Sequence, residues 1–265
     1  MLKLDGVSKT FRTGADRVVA LRDVDLELPR GEFVTVIGSN GAGKSTLLGL
    51  IAGAFLPTEG RVWLDGEDVT GVSAFRRARR IGRILQNPLA GTAPSMTVAE
   101  NLALASRRAR RGLRQALPRR TRRAFREQLA SLGIGLEERM ECRVALLSGG
   151  ERQALTVLMA TLARPDVLLL DEHTAALDPR NAQAIAELTC RFIDDLALTA
   201  LMVTHNMEQA IALGERLIML HKGQVVTELR GREKAGSQPS DLVRLFSERR
   251  ICDDELLLGT CGTAD

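Results

Sequence analysis

A glycine-rich segment followed by lysine and serine is the first stretch of the sequence whose residue types could do chemistry. Glycines adopt positive φ angles and have no Cβ, so a backbone rich in them can wrap around a phosphate with its N–H groups pointing inward. We expect Lys44 to reach the β- and γ-phosphates of a nucleotide and the Ser45 hydroxyl to coordinate Mg²⁺. The residues predicted to hold the phosphates are Gly38, Ser39, Asn40, Gly41, Ala42, Gly43, Lys44, Ser45 and Thr46.

Two adjacent acids end an apolar run later in the chain. Val167–Leu170 is predicted to form a buried strand, and Asp171 and Glu172 follow it directly. In nucleotide hydrolases that use such a phosphate loop, the first acid supports Mg²⁺, and a neighbouring carboxylate can orient and deprotonate the attacking water. Alternation along a strand separates the two side chains, so the two roles are compatible. The alternative is a strand that merely ends in solvated acids.

A Ser-Gly-Gly turn leads into a predicted helix about twenty residues before those acids. Ser148, Gly149 and Gly150 lie within Leu147–Gln153. The first N–H groups of a helix have no partner within it, and its N-terminus carries a partial positive charge. This turn therefore indicates a second anion-binding site.

Together these segments resemble the ATP-binding subunits of ABC transporters, and the resemblance extends to about Glu228. It implies that Gln86 belongs to the Q-loop, which contacts Mg²⁺ or the lytic water and faces the membrane partner. Asp178 matches the D-loop, which acts across a dimer, and His205 matches the switch histidine that holds the γ-phosphate. Phe11 stands where an aromatic ring stacks on adenine, with simple packing as the alternative.

The resemblance also implies an assembly. Two copies would form a head-to-tail homodimer in which ATP and Mg²⁺ lie between the phosphate loop of one copy and Ser148–Gly150 of the other. The partners implied are an integral membrane permease and, indirectly, an extracytoplasmic substrate-binding protein, with no nucleic acid. The expected location is peripheral, on the cytoplasmic face of the cell membrane.

The wording of the motifs is similar to that of a narrower bacterial importer group labelled as tryptophan or tyrosine uptake systems. The similarity includes Gln86–Thr92, Leu158–Leu162 and His173, which follows Glu172 where most relatives have proline. His173 could touch the nucleotide interface, but we favour a structural role.

Arginines concentrate in Arg76–Arg83 and Arg107–Arg126. We favour a solvated helical face for this basic surface, because arginine is a good helix former. The alternative is a contact with anionic lipid headgroups.

Strands alternate with helices in the order needed to position these motifs. The predicted strands are Leu2–Val7, Val18–Leu28, Phe33–Ile37, Arg61–Leu64, Val167–Leu170, Ala200–Val203, Leu217–Leu220 and Gln224–Glu228. The predicted helices are Lys44 to about Ile51, Asn181–Leu196, Met207–Leu213 and a short one within Ser240–Asp265. Residues from about 88 to 162 show helical patterns without a convincing strand. This order predicts an α/β fold with a parallel sheet and a helical insert.

The resemblance refines this fold class to a P-loop NTPase with a RecA-like parallel sheet core, an N-terminal antiparallel β subdomain and an inserted α-helical subdomain. We expect residues 1–230 to form one ATP-binding domain, with the helical subdomain at about 88–162. Residues 231–265 would form a short helix and a tail.

Composition excludes several classes of protein. The 265 residues are 45% hydrophobic and 26% charged, which is typical of a globular protein and not of a disordered one. No apolar run reaches the roughly 18–20 residues of a membrane-spanning helix. The 4 cysteines lack the paired spacing of zinc or thioredoxin-type sites, and unpaired thiols favour the cytosol.

Three other functions share parts of this pattern. A nucleic-acid-associated ABC ATPase is disfavoured, because aromatic residues are only 3% of the chain and Lys44 to Ser148 leaves no room for a long coiled coil. A subunit of a split or lipid-extracting exporter stays open. A degenerate regulator is disfavoured because Lys44, Glu172 and His205 are all present.

Overall fold

The computed structural model of the chain describes residues 1–14, 16–106 and 118–248. In these residues the strands are β1 (Leu2–Thr13), β2 (Asp16–Leu28), β3 (Phe33–Ile37), β4 (Glu59–Leu64), β5 (Glu67–Asp68), β6 (Ile81–Ile84), β7 (Val167–Asp171), β8 (Thr199–Val203), β9 (Arg216–His221) and β10 (Gln224–Arg230). The helices are α1 (Lys44–Ala52), α2 (Ala74–Arg77), α3 (Val98–Ala105), α4 (Arg119–Ala130), α5 (Gly149–Leu162), α6 (Pro179–Asp195), α7 (Met207–Ala212), α8 (Gly231–Ala235) and α9 (Pro239–Glu248). None of these helices combines the length and the apolar character that crossing a membrane requires.

Contacts along the chain define two compact units. The first contains the chain up to Ala74 and again from Leu201 onward, and the second contains Phe75–Ala200. The helical stretch expected at about 88–162 lies inside the second unit, and the domain boundaries proposed from the sequence stay a prediction.

An antiparallel sheet in the first unit has the strand order β2-β1-β4-β5. The first strand is longer than predicted, since it continues past Val7 to Thr13. Its register with β2 shifts between Leu4 and Val7 and twice more before Thr10, and Gly6 has a φ of 56°. These irregularities break the period of two that marks a strand in the sequence, which explains the short prediction.

The other strands of the first unit lie in the order β10-β9-β3-β8. β3 is parallel to β9, with Val34 opposite Arg216, and all 5 residues of β3 are buried, as its unbroken apolar run predicts. β10 pairs antiparallel with β9. Leu242 and Phe246 of α9 are buried against Ile37 and neighbouring side chains, so this C-terminal helix contributes to the core of the first unit.

The second unit contains a parallel strand pair and most of the helices. β6 pairs in parallel with β7, placing Ile81 opposite Val167 and Ile84 opposite Leu170. β6 was not predicted, because its 4 residues, Ile-Gly-Arg-Ile, are too few to show a period. The parallel pairs in both units confirm the predicted α/β class with a parallel sheet. The described residues between 88 and 162 contain helices joined by turns and no named strand, as expected.

Helix α4 carries the described part of the arginine-rich stretch, while residues 107–117 lie outside the described ranges. Phe125 and Leu129 are buried and the arginines of this helix are exposed. Arg122 forms an ion pair with Glu141, and Arg123 pairs with Glu127 at 3.1 Å. In α4 this arrangement is the solvated basic face that we favoured. In the other arginine-rich stretch the expectation is wrong for Arg77, which is only 2% exposed. Exposure is also compatible with a lipid contact, so that alternative stays open.

Candidate functional site

The phosphate loop connects β3 to α1 in the first unit. Gly43 immediately precedes α1 with a φ of 102°, a left-handed conformation that side chains rarely adopt. A Cβ on Gly38 would lie 2.2 Å from the carbonyl oxygen of Leu220, so only glycine fits this close backbone contact. Glycine at residues 38 and 43 therefore follows from two separate backbone constraints.

The ammonium of Lys44 lies within this loop. Its Nζ donates hydrogen bonds to the carbonyl oxygens of Gly38 at 2.5 Å and Ser39 at 2.9 Å, and the residue is only 7% exposed. Ser45 follows in the first turn of α1 and is exposed. A buried cation beside a helix N-terminus attracts a polyanion such as a triphosphate.

His205 lies in the same unit, directly after β8. The N–H of Thr204 donates to the carbonyl oxygen of Val36 at 3.1 Å, so the chain that carries His205 lies beside the last residues of β3. Asn206 caps α7 by accepting a hydrogen bond from the N–H of Gln209 at 2.9 Å. The backbone on both sides of the exposed histidine is therefore anchored.

Phe11 makes an aromatic contact within the first unit. Its ring packs edge-on against Phe55, with centroids 5.3 Å apart, and the ammonium of Lys9 lies 5.0 Å from its centroid. This packing accounts for the residue without a ligand, so its adenine contact remains a prediction.

The acid-ended strand lies in the second unit. Asp171 is the last residue of β7, and its side chain is 12% exposed. A guanidinium nitrogen of Arg83 lies 3.3 Å from its Oδ2. In the sequence, Arg83 stands out only as part of an arginine-rich stretch, because no local motif links it to a residue 88 positions away.

Glu172 follows with a φ of 45°, a strained conformation for a residue with a side chain. Its carbonyl accepts a hydrogen bond from the N–H of Ala175 at 3.0 Å, which closes a turn. Its Oε2 accepts a hydrogen bond from Nε2 of Gln86 at 3.2 Å. The fold thus brings together two residues that the sequence predicts to act on the attacking water and that lie 86 positions apart.

His173 lies within the turn that begins at Glu172 and is buried there. It is 3% exposed, and its Nε2 lies 3.2 Å from the hydroxyl of Thr189. That hydroxyl donates its single hydrogen to the carbonyl of Ile185 at 2.7 Å, so His173 must be the donor through Nε2–H. Burial lowers the pKa of His173 to about 4, which keeps the ring neutral. These contacts support the structural role that we favoured.

The Ser-Gly-Gly turn begins α5 in the second unit. The Ser148 hydroxyl accepts from the N–H of Glu151 at 3.3 Å, and the Glu151 carboxylate accepts from the N–H of Ser148 at 2.7 Å. This reciprocal arrangement is a capping box. Burial acts to raise the pKa of Glu151, but the hydrogen bonds from Ser148 and the charge of Arg139 outweigh it and lower the pKa.

Asp178 caps α6 in the same unit. Its carboxylate accepts from the side-chain amide of Asn181 at 2.6 Å and from the backbone N–H of Asn181 at 3.2 Å, and these bonds lower its pKa. A Cβ added to Gly150 would lie 3.2 Å from Oδ1 of Asn181. The starts of α5 and α6 are therefore close neighbours, which brings the Ser-Gly-Gly turn and the predicted D-loop residue together.

The chemistry of the predicted metal ligands fits Mg²⁺. Ser45, Gln86 and Asp171 would supply hydroxyl, amide and carboxylate oxygens, the hard ligands that this ion prefers. In the described ranges 1–14, 16–106 and 118–248, no group of three or more His, Cys, Asp or Glu side chains could hold a metal alone.

Comparison with known proteins identifies the class. A family model described as "ABC transporter" matches residues 21–175. The chain therefore belongs to the ABC transporter family, as an ATP-binding subunit of the ATPase type, which confirms the resemblance stated above.

Individual relatives narrow the comparison. The chain is 39% identical to the tyrosine transport ATP-binding protein of Clostridioides difficile (strain R20291), over 93% of this chain and 98% of that protein. It is also 39% identical to the methionine import ATP-binding protein MetN of Chromohalobacter salexigens, over 86% of this chain and 64% of MetN.

A solved structure shares the fold. The dimeric structure of the ATP-binding cassette MJ0796 bound to ADP and Pi superimposes with a TM-score of 0.75 at 31% identity, over 87% of this chain and 98% of that chain. This match confirms the predicted fold class.

Proposed function

We propose that this chain binds and hydrolyses ATP to power solute import through a separate membrane permease. The observation that carries the proposal is the phosphate loop, with its two glycine-only backbone positions and the Lys44 ammonium held inside it. A loop of this geometry between a buried strand and a helix can bind the phosphates of a nucleoside triphosphate.

Hydrolysis follows from the predicted residue roles. Loop N–H groups and Lys44 bind the β- and γ-phosphates, and His205 contacts the γ-phosphate. Glu172, oriented by Gln86, accepts a proton from a water molecule. The oxygen of that water attacks the γ-phosphorus, and the bond between the γ-phosphorus and the β–γ bridging oxygen breaks. Mg²⁺, when bound, neutralises charge on the phosphate oxygens. The products are ADP and inorganic phosphate.

The assembly is a homodimer in this proposal. Ser148, Gly149 and Gly150 of one copy would contact the γ-phosphate held by the loop of the other, and Asp178 would act across the same interface. The dimeric cassette with which this chain shares its fold supports this arrangement. ATP then favours the closed dimer and hydrolysis releases it, which is a shift in population driven by a ligand.

Exposed apolar side chains in the second unit support a protein partner. Phe75 is 78% exposed and Leu146 is 70% exposed, so both apolar side chains are available for contact with a protein partner. We propose an integral permease as that partner, with the subunit peripheral on the cytoplasmic face of the membrane. An extracytoplasmic binding protein would deliver the solute.

The relatives favour import over the exporter alternative, because their names describe transport and import ATP-binding proteins. The tyrosine transport relative matches nearly its full length, which supports an aromatic amino acid as the cargo class. The permease and binding protein, not this chain, would choose the cargo.

Replacing Glu172 with glutamine tests the proposal. Glutamine keeps the size of the side chain but cannot accept a proton, so we expect ATPase turnover to fall by at least about 10²-fold. Because the γ-phosphate is then retained, Mg-ATP should shift the purified variant from monomer to dimer in size-exclusion chromatography with light scattering.

The same variant in Mg-ADP is the matched control and should remain monomeric. Near-normal turnover in Glu172→Gln would remove this residue as the base. A variant that stays monomeric in saturating Mg-ATP would instead contradict the shared nucleotide site.

A further inference from the structure

Arg83 and Asp171 are neighbours across the β6–β7 strand pair. The parallel register places Arg83 opposite Leu169, and Asp171 lies two residues further along β7, on the same face as Leu169. The guanidinium therefore reaches along the sheet to the carboxylate, with 3.3 Å between a terminal nitrogen and Oδ2.

Both partners are largely removed from water. The Asp171 side chain is 12% exposed and that of Arg83 is 29% exposed. The Nε of Arg83 is buried without a hydrogen-bond acceptor among the described residues, so the guanidinium is held at the cost of one unsatisfied donor. A partly buried carboxylate requires a positive partner, and Arg83 supplies one from within the protein.

We propose that Arg83 is the resident counter-ion of Asp171 and that a divalent cation must displace it, so that Arg83 sets the Mg²⁺ requirement of nucleotide binding. The inference rests on the proposed function, in which Asp171 supports the Mg²⁺ of the nucleotide. Two cations at one carboxylate repel each other strongly in a partly buried site. Arg83 is thus a positioning residue, because it acts through Asp171.

Two opposite effects on nucleotide binding follow. Without Mg²⁺, the positive charge of Arg83 neutralises Asp171 and so reduces the electrostatic repulsion between this carboxylate and the phosphates of a nucleotide. With Mg²⁺, the same guanidinium opposes the ion. Removing the charge of Arg83 should therefore weaken nucleotide binding in the absence of Mg²⁺ and make nucleotide binding depend more strongly on Mg²⁺. The thermodynamic coupling between nucleotide and Mg²⁺ then increases.

The experiment measures fluorescent ADP binding in EDTA and across a Mg²⁺ titration, with no turnover involved. We expect Arg83→Gln to lower the half-saturating Mg²⁺ concentration and to raise the ratio of Kd without Mg²⁺ to Kd with saturating Mg²⁺. The expected increase in this ratio is about tenfold or more. Arg83→Met keeps an apolar stem without charge and should behave alike if the glutamine variant folds poorly.

Two controls separate charge from architecture. Arg83→Lys keeps the charge and should stay within about threefold of the wild-type ratio. Arg80→Gln removes a pair with Asp166, at 2.5 Å and with side chains 30% and 32% exposed, before the start of the same two strands. This variant loses a similar ion pair away from Asp171 and should leave the ratio unchanged.

If the ratio of Kd without Mg²⁺ to Kd with saturating Mg²⁺ is unchanged or decreased in both Arg83→Gln and Arg83→Met, the proposed role of Arg83 is wrong. It is also wrong if these variants weaken ADP binding equally with and without Mg²⁺. Wild-type protein that binds no ADP under any condition would instead overturn the proposed function.

Discussion

At the scale of single residues, the predicted catalytic glutamate lies in a strained backbone conformation next to a buried histidine. Glu172 has a positive φ, and the residue after it, His173, is buried and donates to Thr189. At the position after the glutamate, this chain has a neutral histidine that is hydrogen-bonded to α6. The position of Glu172 thus depends on a hydrogen bond between its neighbour His173 and Thr189, which is 16 residues further along the chain.

This state makes stability depend on pH. The pKa of His173 is about 4 in the folded protein against 6.5 ordinarily, so the unfolded chain binds the proton more readily. The contribution of the neutral ring is complete above about pH 6.5 and is lost as the pH falls toward 4. We expect a loss of about 2–3 kcal/mol in the free energy of unfolding by pH 4.5.

Urea unfolding of wild type and His173→Gln at pH 7.5, 5.5 and 4.5 measures this loss. Glutamine retains an N–H donor for Thr189 but does not titrate, so the difference in stability between the two proteins should shrink or reverse on acidification. Parallel pH profiles would contradict the assignment.

At the scale of elements, the phosphate loop is shaped by its neighbours as much as by its own residues. Gly38 adopts an ordinary backbone conformation, and its lack of a side chain matters only because the carbonyl of Leu220, at the end of β9, lies where a Cβ would go. Gly43 is constrained twice, by its φ of 102° and by the carbonyl oxygen of Ala20, which would lie 2.4 Å from a Cβ at this residue. The strands around the loop therefore determine its curvature.

Gly38→Ala should move the loop away from β9. A contact of 2.2 Å with a backbone atom cannot be relieved by a rotamer change, so we expect a loss of about 2 kcal/mol or more in the free energy of unfolding and weaker ADP binding. Chemical denaturation and ADP titration measure the two effects.

Gly71→Ala is the matched control, since a Cβ there has nothing within 4 Å and the φ is likewise ordinary. It should change stability by less than about 0.5 kcal/mol. Equal effects of the two substitutions would show that the Leu220 contact is not what requires glycine at residue 38.

At the scale of the whole molecule, nucleotide binding adds stability to the fold. The phosphate loop lies in a unit assembled from both ends of the chain, up to Ala74 and from Leu201 onward. A ligand that binds only the folded protein stabilises it by mass action, by about 2.7 kcal/mol at 100 times its Kd. Unfolding of this unit therefore reports on binding at the loop.

We expect Mg-ADP at that concentration to raise the thermal midpoint of wild type by roughly 5–10 °C. Lys44→Ala removes the ammonium inside the loop and should reduce this rise to less than about 2 °C, measured by calorimetry against each protein without ligand. Lys3→Ala, at a side chain that is 51% exposed in a surface pair with Asp5, should retain the full rise. A full rise in Lys44→Ala would refute the assignment of the loop.

Much of the chemistry could be predicted from the sequence because it is encoded locally. The loop from Gly38 to Ser45, the two acids at the end of the apolar run Val167–Leu170 and the turn at Ser148 each combine residue types within a few positions, and the strand or helix beside each one has its own periodic pattern. The structure finds those strands and helices close to the predicted bounds. The wording of these motifs was also enough to indicate the family.

Tertiary structure alone decided which distant residues meet. Arg83 reaches Asp171, Gln86 reaches Glu172, and the carbonyl of Leu220 excludes a side chain at Gly38. The short β6 strand and the irregular extension of β1 were likewise missed, since pairing partners rather than periodicity hold them in place. Sequence patterns report what neighbours along the chain prefer, whereas hydrogen bonds, ion pairs and excluded volume depend on which strands the fold aligns side by side.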